Sequence, residues 1–142
     1  MRVRKLTIDD YDDIIELWDR ASLPYKPEGR DSKSSIASEM EANPEFFMGA
    51  YEGNKLVGTV IASCDLRKGW INRLAVDPTC RRRGIAKTLI TKAERALKKK
   101  GAKIICALIE DTNNGSMVLF KKCGYVENRD VIYFSKRESD RV

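Results

Sequence analysis

The sequence predicts an α/β protein built on a mixed sheet, and three observations carry that prediction. Apolar residues fall in strand-length blocks at 2 to 6, 46 to 65 and 104 to 109, while helical spacing occupies 11 to 18 and 83 to 100. Gly53-Asn54 joins two apolar runs as an antiparallel hairpin turn requires. Strand, helix and strand then follow one another from 70 to 109, which implies a right-handed crossover and parallel pairing. At 142 residues, 42% hydrophobic and 34% charged, the chain has the size of one domain with its own core. One domain over 1–142 is expected, with a core over 2–136 and a tail at 137–142.

Taken in order, residues 2 to 6 alternate basic and apolar as a short edge strand does. Thr7-Ile-Asp-Asp10 has capping-box spacing, and Tyr11, Ile14, Ile15 and Trp18 line one helical face behind it. Pro24, Pro27 and Gly29 break the pattern. A second helix is expected from about Asp31 to Glu41, stopped at Asn43-Pro44. Phe46 to Glu52 and Lys55 to Asp65 form the hairpin, Trp70 to Val76 the next strand. Arg83 to Lys100 reads as a long helix with Ile85, Leu89, Ala93, Ala96 and Leu97 inward, ended by Gly101. Ile104 to Ile109 is continuously apolar, the pattern of a strand buried on both faces. A short helix over Asn114 to Lys122 brings the helix count to four. Tyr125 to Glu127 and Val131 to Lys136 are expected to close the chain as a second hairpin.

Several function classes are excluded early. No apolar run is long enough to span a membrane, and the N-terminus lacks the pattern of a secretory leader, so a cytoplasmic protein is expected. The chain has no histidine, and its four cysteines stand apart, which removes most metal sites and every histidine-based mechanism. Reduced, mostly buried thiols are expected, with no metal.

Charge is informative through its location. From Arg81 to Lys103 there are ten basic residues and one acid, Glu94, a local balance of +9 in a chain of net charge +6. An anionic ligand belongs near that segment; Lys98 to Lys100 read as a solvated helix face. Within it, Leu74-Ala-Val-Asp-Pro-Thr-Cys-Arg-Arg-Arg-Gly-Ile-Ala-Lys-Thr runs from a strand end, through a turn, to a helix start at Gly84. The first amides of a helix have no internal partner, and glycine permits close approach, so this is a phosphate cradle on physical grounds. It lacks the glycine patterns of nucleotide hydrolases and dinucleotide oxidoreductases.

At these residues the sequence resembles the GCN5-related N-acetyltransferase superfamily. Arg81-Arg-Arg-Gly84-Ile-Ala86 matches that family's (Gln/Arg)-x-x-Gly-x-(Gly/Ala) motif behind the strand ending Leu74-Ala-Val76. Asn113-Asn-Gly-Ser116-Met-Val-Leu-Phe120-Lys-Lys-Cys-Gly124-Tyr125 resembles its Asn-x-x-Ala-x-x-Leu-Tyr-x-x-x-Gly-Phe segment. The resemblance implies acetyl-coenzyme A held between two parallel strands that splay apart. It implies that backbone groups of Leu74, Ala75 and Val76 bind the pantetheine arm, while Arg81, Arg82, Arg83, Gly84, Ile85, Ala86 and Lys87 cradle the pyrophosphate. Thr88 adds a hydroxyl, and Asn113, Ser116 and Phe120 line the other side.

Two departures bear on chemistry. Phe120 stands where the family carries the tyrosine proposed to protonate the leaving thiolate, and the strand position that often holds a glutamate base falls in Trp70-Ile-Asn-Arg-Leu, which has no acid. Glu110 and Asp111 are the nearest candidate bases, each equally readable as a loop acid or helix cap; Asp65 is a further, more distant one. By position, Tyr25, Glu28 and Arg30 are candidates for an acceptor wall, with Asn72 and Arg73 facing the cleft. The expected function is acetyl transfer to a primary amine of a small molecule or peptide in a ternary complex, by a monomer or homodimer, without nucleic acid or membrane. The alternatives are a catalytically silent coenzyme A sensor and a basic nucleic-acid-binding module. Aromatic residues do not interleave with the basic run, which counts against the last.

Overall fold

The computed structural model describes residues 1–142. Its sheet grows from the long hairpin. β2 (Phe47–Glu52) and β3 (Lys55–Cys64) pair antiparallel around the Gly53-Asn54 turn, with Glu52 opposite Lys55. β1 (Arg2–Lys5) adds antiparallel to β2 at one edge. On the other side β3 carries both β4 (Gly69–Ile71) and β5 (Ala75–Val76), and β4 pairs parallel with β6 (Ile105–Cys106). The sheet is therefore mixed and six-stranded, as expected.

α1 (Tyr11–Arg20) and α3 (Ile85–Lys99) cover opposite faces of the sheet. A Cβ on Gly58 would strike Ile85 of α3 at 2.9 Å, whereas the next residue, Thr59, accepts a bond from the Trp18 indole of α1 at 3.0 Å. Successive strand residues point to opposite faces, so those two contacts fix the layering. α2 (Lys33–Ala42) is capped by Ser32, whose hydroxyl accepts from the Ser35 amide, and α4 (Asn114–Lys122) is capped by Asn113. Leu17, Trp18, Phe47, Val60, Leu89, Ala93 and Leu97 are fully buried in one core cluster of 25 residues. At the α1 entrance Arg4 holds buried Asp10 through two bonds of 3.0 and 2.9 Å, and the Tyr51 hydroxyl joins them.

Four expectations need correction. The strand foreseen over 70 to 76 is two strands, because the ladder breaks after Asn72: the Asn72 amide still donates to Ile61 of β3, but the Leu74 amide turns back to Asn72 at 2.9 Å. The strand foreseen over 104 to 109, buried on both faces, is two residues long, with Ile104 and Leu108 exposed. The C-terminal hairpin over 125 to 127 and 131 to 136 does not form; no residue after Tyr125 takes part in a backbone–backbone bond. Its prediction rested on β-propensity, but a ladder also needs a neighbour, and β6 offers two residues. Only Cys80 of the four free thiols is fully buried; Cys64, Cys106 and Cys123 are half-buried.

Candidate active site

The parallel ladder between β4 and β6 ends at Trp70 opposite Cys106. Beyond that pair β5 stays with β3 alone and residues 107 to 110 join no strand, so the two segments part and leave an opening. The Asp77 amide donates to Val57 at 2.8 Å, and Val76 stands opposite Gly58. Bonding alternates along an antiparallel ladder, so the N–H and C=O of Val76 turn away from β3 toward the opening. Ala75, opposite Thr59, spends its backbone on the ladder, and the Leu74 amide is spent on Asn72. Of the three expected backbone contributors, Val76 is the one left with both groups available.

The following loop is pinned on one side and open on the other. Asp77 is buried, and its carboxylate accepts from the Thr79 amide (2.9 Å), the Thr79 hydroxyl (2.7 Å) and Arg20 (3.0 Å), with Lys55 at 3.5 Å. The two Thr79 bonds, reinforced by Arg20 and Lys55, hold this carboxyl far below the usual carboxylate range. Asp77 was not singled out in the sequence; the Asp-Pro-Thr turn pattern is the signal that could have found it.

Past the turn, Arg82 (φ 66°) and Gly84 (φ 78°) both adopt left-handed backbone, and α3 begins at Ile85. For a non-glycine residue that conformation costs on the order of 1–2 kcal/mol. No side chain caps this helix. The first internal bond runs from the Thr88 amide to Gly84 at 3.0 Å, so the amides of Ile85, Ala86 and Lys87 are free. A Cβ at Gly84 would meet nothing within 4 Å. Arg81, Arg82, Arg83 and Lys87 are exposed and enter no ion pair. Open amides, unneutralised guanidinium groups and clear space over a glycine fit an anionic diphosphate. The Thr88 hydroxyl donates to the Gly84 carbonyl at 2.9 Å, beside the free amides.

Across the opening, Asn113 Oδ1 accepts the Ser116 amide at 3.1 Å as the α4 cap, leaving its NH2 group free. Phe120 is buried and packs edge-to-face on Tyr125, ring centroids 5.0 Å apart. The Tyr125 hydroxyl donates to Glu94 at 2.8 Å, joining α4 to the single acid of the basic helix. Burial, then Glu94, push the Tyr125 pKa up. Glu110 and Asp111 are exposed, and their side chains make no hydrogen bond or ion pair. Asp65 is occupied by the amides of Arg67 and Lys68 at its own turn. No group of three metal-ligating side chains is assembled.

The five candidate acceptor-wall residues divide into two sets. Arg73 lies over the Trp18 indole, 4.3 Å from its centroid, and reaches the Pro24 carbonyl and buried Asp31 (3.7 Å). Asp31 in turn accepts the Lys26 amide at 2.8 Å. The 72–74 interruption thereby carries a guanidinium that ties the 23–31 loop to the sheet. Tyr25, on that loop, donates to Asp19 at 3.2 Å beside an open depression lined by Trp18, Leu23 and Pro24. Glu28 and Arg30 are exposed, Arg30 at 4.0 Å from Asp31 and Glu28 at 3.5 Å from Arg141. Asn72 donates to Ser63 at 3.0 Å and stays exposed. The docking of the chain's end on this loop, with the Arg141 backbone against Gly29 and Asp140 accepting from Lys26, had no signal in the sequence.

Comparison with known proteins agrees with this geometry. Residues 11–125 match the model of the acetyltransferase (GNAT) family. An acetyltransferase of Photorhabdus laumondii is 30% identical over 138 residues, covering 96% of this chain and 95% of its own. The PaiA N-acetyltransferase of Thermoplasma acidophilum, solved with coenzyme A, superposes with a TM-score of 0.75 at 25% identity, covering 86% of this chain and 87% of its own. An aminoglycoside 6'-N-acetyltransferase of Acinetobacter haemolyticus shares the fold at a TM-score of 0.74 and 22% identity, covering 98% of this chain and 100% of its own.

Proposed function

The chain belongs to the acetyltransferase (GNAT) family, and from that premise we propose that residues 1–142 act as one N-acetyltransferase domain in the cytoplasm. Its acceptor is a primary amine on a small molecule or peptide. The observation that carries this reading is the uncapped start of α3 behind Gly84, at the end of the opening that Val76 faces.

In this reading the amides of Ile85, Ala86 and Lys87 and the Arg81–Arg83 guanidinium groups bind the pyrophosphate, Val76 orients the pantetheine arm, and the Asn113 NH2 group supports it from α4. Ser116 lies beside that cap. Acetyl-coenzyme A supplies an activated thioester when bound. Attack by a neutral amine forms the C–N bond as the C–S bond breaks; the amine gives up a proton and coenzyme A departs as thiolate. No enzyme nucleophile is required, in keeping with a chain that has no histidine to activate one. A thiol of pKa near 8.5 leaves tolerably without a positioned acid, so a phenyl group at Phe120 is compatible with turnover.

Glu110 and Asp111 stand as proton acceptors on the solvent side, and Tyr25, Glu28, Arg30, Asn72 and Arg73 as the acceptor wall. An amine of pKa about 8 to 10.4 is mostly protonated at neutral pH, so the rate rises into the alkaline range. The test is calorimetric titration of coenzyme A together with thiol release from acetyl-coenzyme A over an amine panel. Gly84→Val is expected to weaken coenzyme A binding, a loss of roughly 1–3 kcal/mol. Unchanged affinity in a folded Gly84→Val protein overturns the cradle; intact binding without thiol release for any amine identifies a coenzyme A sensor.

A further inference from the structure

We propose that the acceptor is a free amino acid, its carboxylate held by Arg73 and its amine by the side-chain oxygen of Asn72. This rests on the reading of the chain as an N-acetyltransferase, and narrows the acceptor from any primary amine to one with a carboxylate beside it. The placement comes from the break in the strand. Thr59 faces α1 through its bond with Trp18, so Ser63, an even number of residues on, lies on the same face of β3. Asn72 donates to the Ser63 hydroxyl at 3.0 Å, and Arg73 lies 4.3 Å from the centroid of the Trp18 indole. A regular strand would send consecutive side chains to opposite faces. Here both polar side chains stand on the α1 face, at the edge where β4 and β6 part.

The two groups differ in what they have left to offer. Asn72 turns its NH2 group to Ser63, which leaves Oδ1 as an acceptor for an amine N–H. Arg73 is a charge short of partners. Its Nη2 donates to the Pro24 carbonyl and stands 3.7 Å from Asp31, its Nε is buried without a hydrogen bond, and its Nη1 makes none. Asp31 is shared with Arg30 at 4.0 Å, so one carboxylate faces two guanidinium groups. Burial lowers the Arg73 pKa from its ordinary value, Asp31 offsets part of that, and Arg30 adds to it. A desolvated guanidinium with spare donors is completed by a carboxylate through charge-assisted bonds. Across the opening, Glu110 and Asp111 are exposed acids, which draw the amine end of such a ligand toward them and repel its carboxylate toward Arg73.

The test compares free amino acids with their C-terminal amides, by thiol release from acetyl-coenzyme A and by calorimetric titration of the same ligands into the protein loaded with coenzyme A. Amidation removes the carboxylate and lowers the amine pKa, which by itself speeds the amide, so a preference for the acid reports recognition. The best free amino acid is expected to exceed its amide about ten- to a hundredfold in kcat/KM, the worth of a hydrogen bond to a charged group. Arg73→Met should abolish that preference, mainly through KM. Asp31→Asn, which keeps an acceptor for the Lys26 amide but frees Arg73, should lower KM for the acid. Asn72→Ala should slow acid and amide alike and leave their ratio unmoved. A merely structural Arg73 would move acid and amide together, and coenzyme A affinity reports the folding of each variant. Amides acetylated as well as acids, a ratio unmoved by Arg73→Met, or a shift in the same direction from Arg73→Met and Asp31→Asn would each overturn the proposal while leaving acetyl transfer in place. Carboxylate-dependent binding with no thiol release for any amine overturns the acetyl-transfer reading instead.

Discussion

The two halves of the molecule differ in how their backbones are satisfied. From β1 to β3 the strands are paired along their lengths, with one register shift between Ala50 and Tyr51, and β3 is buried over seven of its ten residues. From β6 onward the ladder is two residues long, and 126 to 142 make no backbone–backbone bonds. The opening read as the cofactor cleft lies where the two regimes meet, because β5 belongs to the first half and residues 107 to 110 to neither ladder. A cleft in a sheet needs one side held firmly while the other is released, and here the firm side also carries the loop proposed to bind the pyrophosphate.

The largest effect that tests this contrast is a core truncation in the firm half. Trp18→Ala removes a fully buried indole, its bond to Thr59 and the platform under Arg73, and is expected to cost about 3–5 kcal/mol in denaturant unfolding. Phe134→Ala in the open half should fall within about 0.5 kcal/mol. Comparable losses for the two would dissolve the distinction.

Asp77→Asn comes next, at about 2–3 kcal/mol, since it unpairs a buried carboxylate site and loosens the turn before Arg81. Its pH dependence has a definite sign. The folded pKa of Asp77 lies below the unfolded value near 3.9, as does that of Asp10, where the Arg4 bond is the main cause. Their contribution is therefore fully present above that value and is lost as pH falls toward the folded pKa values. Acid unfolding of Asp77→Asn should accordingly be shallower than that of wild type.

Phe120→Ala is expected to destabilise by about 3 kcal/mol through lost packing on Tyr125. Phe120→Tyr separates packing from proton transfer. A modest rise in turnover near pH 7 that disappears at pH 9 places the ring beside the leaving sulfur; equal turnover at both pH values places it in the core alone. A smaller effect, about 1 kcal/mol in thermal unfolding, is expected for Tyr125→Phe, which deletes a single bond to Glu94 across the α3–α4 contact.

Features that depend on near neighbours in sequence were legible beforehand. The Gly53-Asn54 hairpin, the Thr7–Asp10 capping box just ahead of α1, the inward face of α3 and the glycine-led turn into α3 all follow from turn chemistry and 3.6-residue spacing within about a dozen positions. What the tertiary structure alone decided depends on partners distant in the chain. Arg73 was visible only as a polar residue in an apolar strand, and its placement between Trp18 and Asp31 needs α1, the 23–31 loop and β3 assembled together. The brevity of β6 and the unpaired 131–135 segment were hidden for a related reason. β-propensity reports that a segment suits a pleated surface, but whether a ladder forms depends on a neighbouring edge brought alongside, and that is set by topology rather than by the segment itself.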